Sequence, residues 1–267
     1  EAACSREARQ IVCCNNQNGC RFFFGWPGDI VLVNHKETLM AFFFLSQAVG
    51  KGCPNLAVDV TAVHKQLMEI GKIACFPCNG VFDARIQAGI EAVQSHFMQR
   101  PDGVMSVSGQ THTFLANWEE KQISPGVQLP GQLRTAWNWV NPLLPKGSYC
   151  SSGFRSADDQ RRILHNFYST TFRAQIIAKY GQAQYDLIAK DLLKNEDKVL
   201  EMVRGVGQAI AKPGSSMHQK SKAIDIGGPN DDQQVKVVQL VARAHPELFS
   251  QKAPLKERSG CVHFEIL

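Results

Sequence analysis

The sequence predicts an α+β protein: a small helical unit in its first half, followed by helices set around a small antiparallel sheet. Three observations carry that expectation. Within residues 55–118, apolar side chains recur at helical spacing, at Val60, Val63, Leu67 and Ile70 and again at Ile86, Ile90, Val93 and Phe97. Polar and apolar residues instead alternate along KAIDI (Lys222 to Ile226) and CVHFEI (Cys261 to Ile266), the period of a half-buried strand. Between these regions Pro125, Pro130, Pro142 and Pro145 punctuate a stretch rich in Pro, Gly and Gln. The chain is therefore expected to divide into a cysteine-rich segment 1–54, a helical domain 55–118, a linker 119–147 and an α+β domain 148–267.

The bulk properties fit folded protein. The chain has 267 residues, 44% hydrophobic and 20% charged, enough apolar surface for one large core or two modest ones. Its net charge of +5 suits a polyanionic surface and equally an ordinary solvated one. No apolar run reaches the length of a membrane span; the strongest, Leu39 to Leu45, reads as a buried helix or strand. The first residue is Glu1 rather than Met, as expected where a leader or a larger precursor has been removed. Nine cysteines stand at positions 4, 13, 14, 20, 53, 75, 78, 150 and 261. The crowding of the first four reads as disulfides in an oxidising compartment, with a structural zinc knot as the rival.

Element by element, Gly25 to Asp29 reads as a turn and Ile30 to Val33 as a short buried strand. Gly71 stops the first helix of the helical domain. Asn79 to Phe82 and Asp102 to Val104 are turns, and Thr111 to Leu115 begins a third helix. In the last domain a strand-like YCSSGF leads into a helix capped by Ser156, with Asp158 and Asp159 in its first turn. Helical periodicity then runs through about 172–211, and Pro213-Gly214 ends it. KAIDI, a helix from about 231 to 249, and CVHFEIL complete the order.

The chemistry gathers in that last domain. His218 and Asp225 flank a turn that enters a strand, and strand alternation puts Asp225 opposite in face to Ile224 and Ile226. In CVHFEI, Cys261, His263 and Glu265 share the face opposite Val262, Phe264 and Ile266. Two such strands laid antiparallel bring Asp225 and His263 onto one polar face. With His218 they form a metal-ligand set with room for a water at a fourth position.

SSMHQKSKAIDI resembles the S-x-H-x-x-G-x-A-x-D motif of the zinc D-alanyl-D-alanine carboxypeptidases and related endopeptidases, the LAS-type peptidoglycan metallopeptidases. Ser216, His218, Ala223 and Asp225 match; Ser221 stands at the usual Gly, which requires a negative φ there. SGFRSADDQRRIL is similar to the family's S-G-Y-R-S segment, with Arg155 at its arginine, and CVHFEI to the strand that carries the last zinc histidine. Upstream, NGVFDARIQAGIEAVQ followed by Asp102-Gly103 and Thr111 with Leu115 resembles the small peptidoglycan-binding domain, with Asn79, Asp83 and Ile86 departing from its pattern.

The resemblance implies Zn2+ on His218, Asp225 and His263, peptidoglycan as partner rather than nucleic acid, and a secreted or periplasmic protein. It implies that Arg155 stabilises an oxyanion or grips a substrate carboxylate, with a structural salt bridge as the plainer role. Ser216 either bonds substrate or caps its turn. The family's base precedes the last histidine, but Gly260 and Cys261 occupy those positions. Glu257 is the expected base and Glu265 its alternative. A non-catalytic wall-binding protein, with Cys261 closing the metal site as a fourth ligand, is the alternative function. PGDIVLV also occurs in cysteine-type cell-wall hydrolases, but no nucleophile-and-histidine order surrounds it here.

Overall fold

A computed structural model describes residues 11–14, 20–23, 43–228, 231–257 and 260–267, the first two segments by backbone alone. The expected turn at Gly25 to Asp29, the strand Ile30 to Val33, most of Leu39 to Leu45, and the side chains of the four N-terminal cysteines lie outside the described residues. The fold is α+β. Strands β1 (Ile11–Cys14) and β2 (Cys20–Phe23) pair antiparallel, Ile11 opposite Phe23. The chain separates into two compact units, one of residues 1–95 with 100–118 and one of 96–99 with 119–267.

In the first unit, helices α1 (Ala57–Glu69) and α2 (Ala84–Gln94) form where the apolar spacing anticipated them, and α3 (Gln110–Ala116) forms at the Thr111-to-Leu115 stretch. Val60, Val63, Leu67, Ile86, Ile90, Val93 and Leu115 make its core. Asp83 starts α2 by accepting hydrogen bonds from the N–H groups of Arg85 and Ile86. The turn before it requires Gly80. Its φ is +71°, and a Cβ there would lie 2.8 Å from that of Ala57. Gln94 is the polar hub. Its Nε2 donates to Asp102 Oδ1 at 2.7 Å and to the Val104 carbonyl at 2.9 Å, while its Oε1 accepts from the N–H groups of Asp102 and Gly103. The Gln94 and Asp102-Gly103 positions thus have a structural task in this chain: they close the loop between α2 and α3.

The second unit is built on a four-stranded antiparallel sheet. Strands β3 (Tyr149–Ser152), β4 (Ala223–Gly227), β5 (Leu255–Lys256) and β6 (Val262–Glu265) lie in the order β3-β4-β6-β5. Helices α4 (Gln132–Val140) and α9 (Asp231–Ala244) pack against this sheet. The linker expected at 119–147 is corrected by α4. Leu133, Ala136, Trp137 and Val140 follow helical spacing, and all are buried. The prolines only bracket that helix. The helix expected to reach 249 ends at Ala244, because Pro246 disfavours helical backbone in the residue before it.

Between β3 and β4 the chain makes a helical block: α5 (Ala157–Asn166), a π-helical turn (Phe167–Thr171), α6 (Arg173–Tyr180), α7 (Gln182–Ala189) and α8 (Glu196–Gly205). Ser156 and Asp159 form a reciprocal capping box at the start of α5. Leu164, Tyr168, Ile176, Ile188, Val199 and Val203 give the block a core of its own. There the Tyr168 and Tyr185 rings stack at 4.8 Å, and the Tyr168 hydroxyl donates to the Tyr185 carbonyl.

One backbone expectation is overturned. Ser221 has φ +56°, not a negative value. The Lys222 N–H bonds to the Met217 carbonyl and that of Ser221 to the His218 carbonyl, the pairing that closes a helical turn with a left-handed residue. A non-glycine residue there costs about 1–2 kcal/mol, and glycine's extra unfolded-state entropy returns about 0.5–1 kcal/mol of that. Ser221→Gly is therefore expected to raise stability by up to about 1 kcal/mol, read as a rise in thermal midpoint. A fall would show that the Ser221 side chain has a role of its own.

Candidate metal centre

The sheet register brings the site together. Asp225 on β4 pairs directly with His263 on β6, so both side chains leave the sheet on the same face. A bulge at Ser151 breaks the β3–β4 ladder and leaves Ser152 opposite Asp225. His218 arrives from the turn closed by Ser221. Among the described residues, His218, Asp225 and His263 form the group of donor atoms able to hold a metal ion.

The distances fit one cation. His218 Nε2 lies 3.2 Å from Asp225 Oδ1 and 3.3 Å from His263 Nδ1, and His263 Nδ1 lies 2.8 Å from Asp225 Oδ1. Donor atoms around a tetrahedral ion with bonds of about 2.0–2.1 Å stand about 3.3 Å from one another. The tautomer of His218 fits as well. A carbonyl oxygen can only accept, so His218 Nδ1, 2.7 Å from the Gly153 oxygen, carries the proton, and Nε2 faces the cluster with its lone pair. Gly153 cannot be replaced there, since a Cβ would meet the Gln128 oxygen at 2.3 Å.

Asp225 is held on both oxygens. Arg155 donates from Nη2 to its Oδ2 at 2.5 Å, leaving Oδ1 for the cluster. Burial pushes the Asp225 carboxyl up, but the ring nitrogens of His218 and His263 and the Arg155 charge outweigh it, so the carboxyl stays ionised well below the usual range. For His263, burial favours the neutral ring. Its hydrogen bond to Asp225 and the charges of Asp225, Glu257 and Glu265 outweigh burial and raise its affinity for a proton. Behind the cluster, burial and the Asp225 charge push the Cys150 thiol up to about 12, so this cysteine stays protonated and inert.

The cluster opens into a cavity of about 830 Å³ that Arg155, Ser216, Glu257, Cys261 and Glu265 also line. Arg155 is largely engaged: besides Asp225, its Nε donates to Ser152 Oγ and its Nη1 to Gln160 Oε1. The plainer of its two expected roles, the salt bridge, is the one its geometry displays. Ser216 is buried, and its Oγ accepts from the His218 N–H at 3.3 Å, so it caps the turn. The Glu257 N–H donates to the Cys261 carbonyl across the β5–β6 turn. Leu255 pairs with His263 two residues earlier, so alternation turns Glu257 to the ligand face. Glu265 Oε1 is 3.8 Å from His263 Nε2, while its Oε2 is 3.1 Å from Lys252 Nζ. Cys261 does not join the donor set of the three ligands; its sulfur accepts from Ser151 Oγ at 3.7 Å.

Sequence reasoning did not find Gly153, Ser152 and Gln160, which hold the residues that hold the site. Gly153 and Ser152 stand inside the YCSSGF segment, but only the bulge shows what they do. No family model, curated protein or solved structure matches the chain.

Proposed function

We propose that the chain is a zinc-dependent peptidoglycan peptidase, secreted or periplasmic, that cleaves peptide stems or cross-links of the bacterial cell wall. The reading is carried by one observation: donor atoms of His218, Asp225 and His263 converge within 2.8–3.3 Å of one another on the wall of an open cavity. The ligand types, two imidazoles and one carboxylate, are those of hydrolytic zinc sites that keep an open position. Zinc held there supplies a Lewis acid and lowers the pKa of water toward neutrality.

The chain's own residues do the rest. Arg155 fixes Asp225 through Oδ2, and the Gly153 carbonyl fixes the ring of His218. The Glu257 carboxylate takes the proton of the attacking water and passes it to the leaving amine. Glu265, neutralised by Lys252, orients His263. The helical first unit is assigned to holding the wall, on its likeness to the small peptidoglycan-binding domain.

The test is incubation of the whole chain with insoluble peptidoglycan, with and without a chelator. Sedimentation with the wall under both conditions, and release of stem peptides only without chelator, is the expected result. Cutting that survives chelation sinks the zinc reading, and wall binding with no cutting at all reduces the protein to a binder.

A further inference from the structure

We infer that Arg204 is the residue that recognises a free carboxylate on the substrate, which makes the preferred substrate a peptide with an unblocked acidic terminus or side chain. This rests on the peptidase reading above. Arg204, exposed in the last turn of α8, lines the same cavity as His218, Asp225 and His263. Its Nε donates to the Ile210 carbonyl at 2.9 Å, which sets the plane of the guanidinium and leaves the N–H groups of both terminal nitrogens available.

The other arginine that lines the cavity is committed, as are those on α5. Arg155 is bound to Asp225, Arg161 to Asp158 and Glu196, and Arg162 to Asp159. Arg204 makes no ion pair among the described residues. It also stands on a fixed support. Lys179 Nζ donates to the Gly205 carbonyl, and Gly205 lies directly beneath the Tyr180 hydroxyl, where even a Cβ would collide at 1.8 Å. A guanidinium oriented by the protein and left without a counter-charge in a cleft matches a carboxylate bidentately. The task that the family resemblance implied for Arg155 falls to Arg204, because Arg155 is held by a ligand of the metal.

The test compares two synthetic wall-stem peptides that differ only at the C-terminus, one a free carboxylate and one a carboxamide. Wild type is expected to favour the carboxylate by about 10- to 100-fold in kcat/KM, the scale of charge-assisted hydrogen bonds. Arg204→Gln should abolish that preference, Arg204→Lys should restore part of it, and zinc content and thermal midpoint should stay at wild-type values. A preference that survives Arg204→Gln overturns the assignment, as does an equal loss on both peptides. The same pair is titrated calorimetrically into chelator-treated protein. If the chain cuts neither peptide, the peptidase reading fails, and the binding ratio alone decides Arg204: a carboxylate preference lost in Arg204→Gln upholds it, and equal or absent binding overturns it.

Discussion

His218→Ala is expected to eliminate metal uptake at stoichiometric zinc and, with it, all cleavage of wall peptides, while the fold persists. The variant loses one of three ligands and the carbonyl contact that orients it; disturbing outer-shell contacts alone typically costs about 10–100-fold in affinity, and a ligand costs more. The fold is expected to survive because the side chain sits on a turn, and losing its hydrogen bond to the Gly153 carbonyl costs about 1 kcal/mol, a shift of a few degrees in thermal midpoint. Elemental analysis, circular dichroism and a cleavage assay read the three quantities separately. Full zinc occupancy in the variant would remove His218 from the site.

The raised proton affinity of His263 gives a pH dependence with a definite sign. Its folded-state affinity for protons is raised, and a protonated ring cannot ligate. Zinc uptake should therefore weaken as pH falls, beginning above the ordinary histidine value of about 6.5, and binding should release a proton to buffer. In the metal-free chain the same raised pKa contributes stability at low pH, and that contribution is lost as pH rises through the folded value.

Glu257→Gln is the second large effect. Loss of acid–base assistance should lower turnover by about 100- to 10,000-fold, with zinc retained, since Glu257 stands outside the ligand set. Glu265→Gln should change turnover far less, because its carboxylate is already paired with Lys252. A silent Glu257→Gln beside an inactive Glu265→Gln, both with full zinc, would exchange the two assignments.

Much of this arrangement was legible from local periodicity. The alternation of KAIDI and CVHFEI put Asp225 and His263 on one face because strand geometry leaves a side chain only two directions. The helical spacing of Val60, Val63 and Leu67 was legible because residues three and four apart share one helix face. What escaped depended on contacts distant in sequence. Ser152 reaches Asp225's flank only through a bulge, and Arg155 chooses between substrate and salt bridge only once Asp225 is beside it. The helix at Gln132–Val140 is a different case. Its apolar spacing was present, and the surrounding prolines outweighed it in the reading.

The helical block between β3 and β4 has a consequence for how this protein can change. Its core is separate from the residues behind the sheet, yet α8 and the π-helical turn supply one bank of the cleft, with Arg204 and Phe167 on it. The three candidate ligands stand apart from that block, on β4, β6 and the turn before β4. Substitutions in the block's interior can tilt or widen the side of the groove it lines without displacing His218, Asp225 or His263. On the proposed reading, selectivity and chemistry are thereby free to vary along different axes: the insertion can be remodelled while the sheet that carries the three-residue cluster is left unaltered.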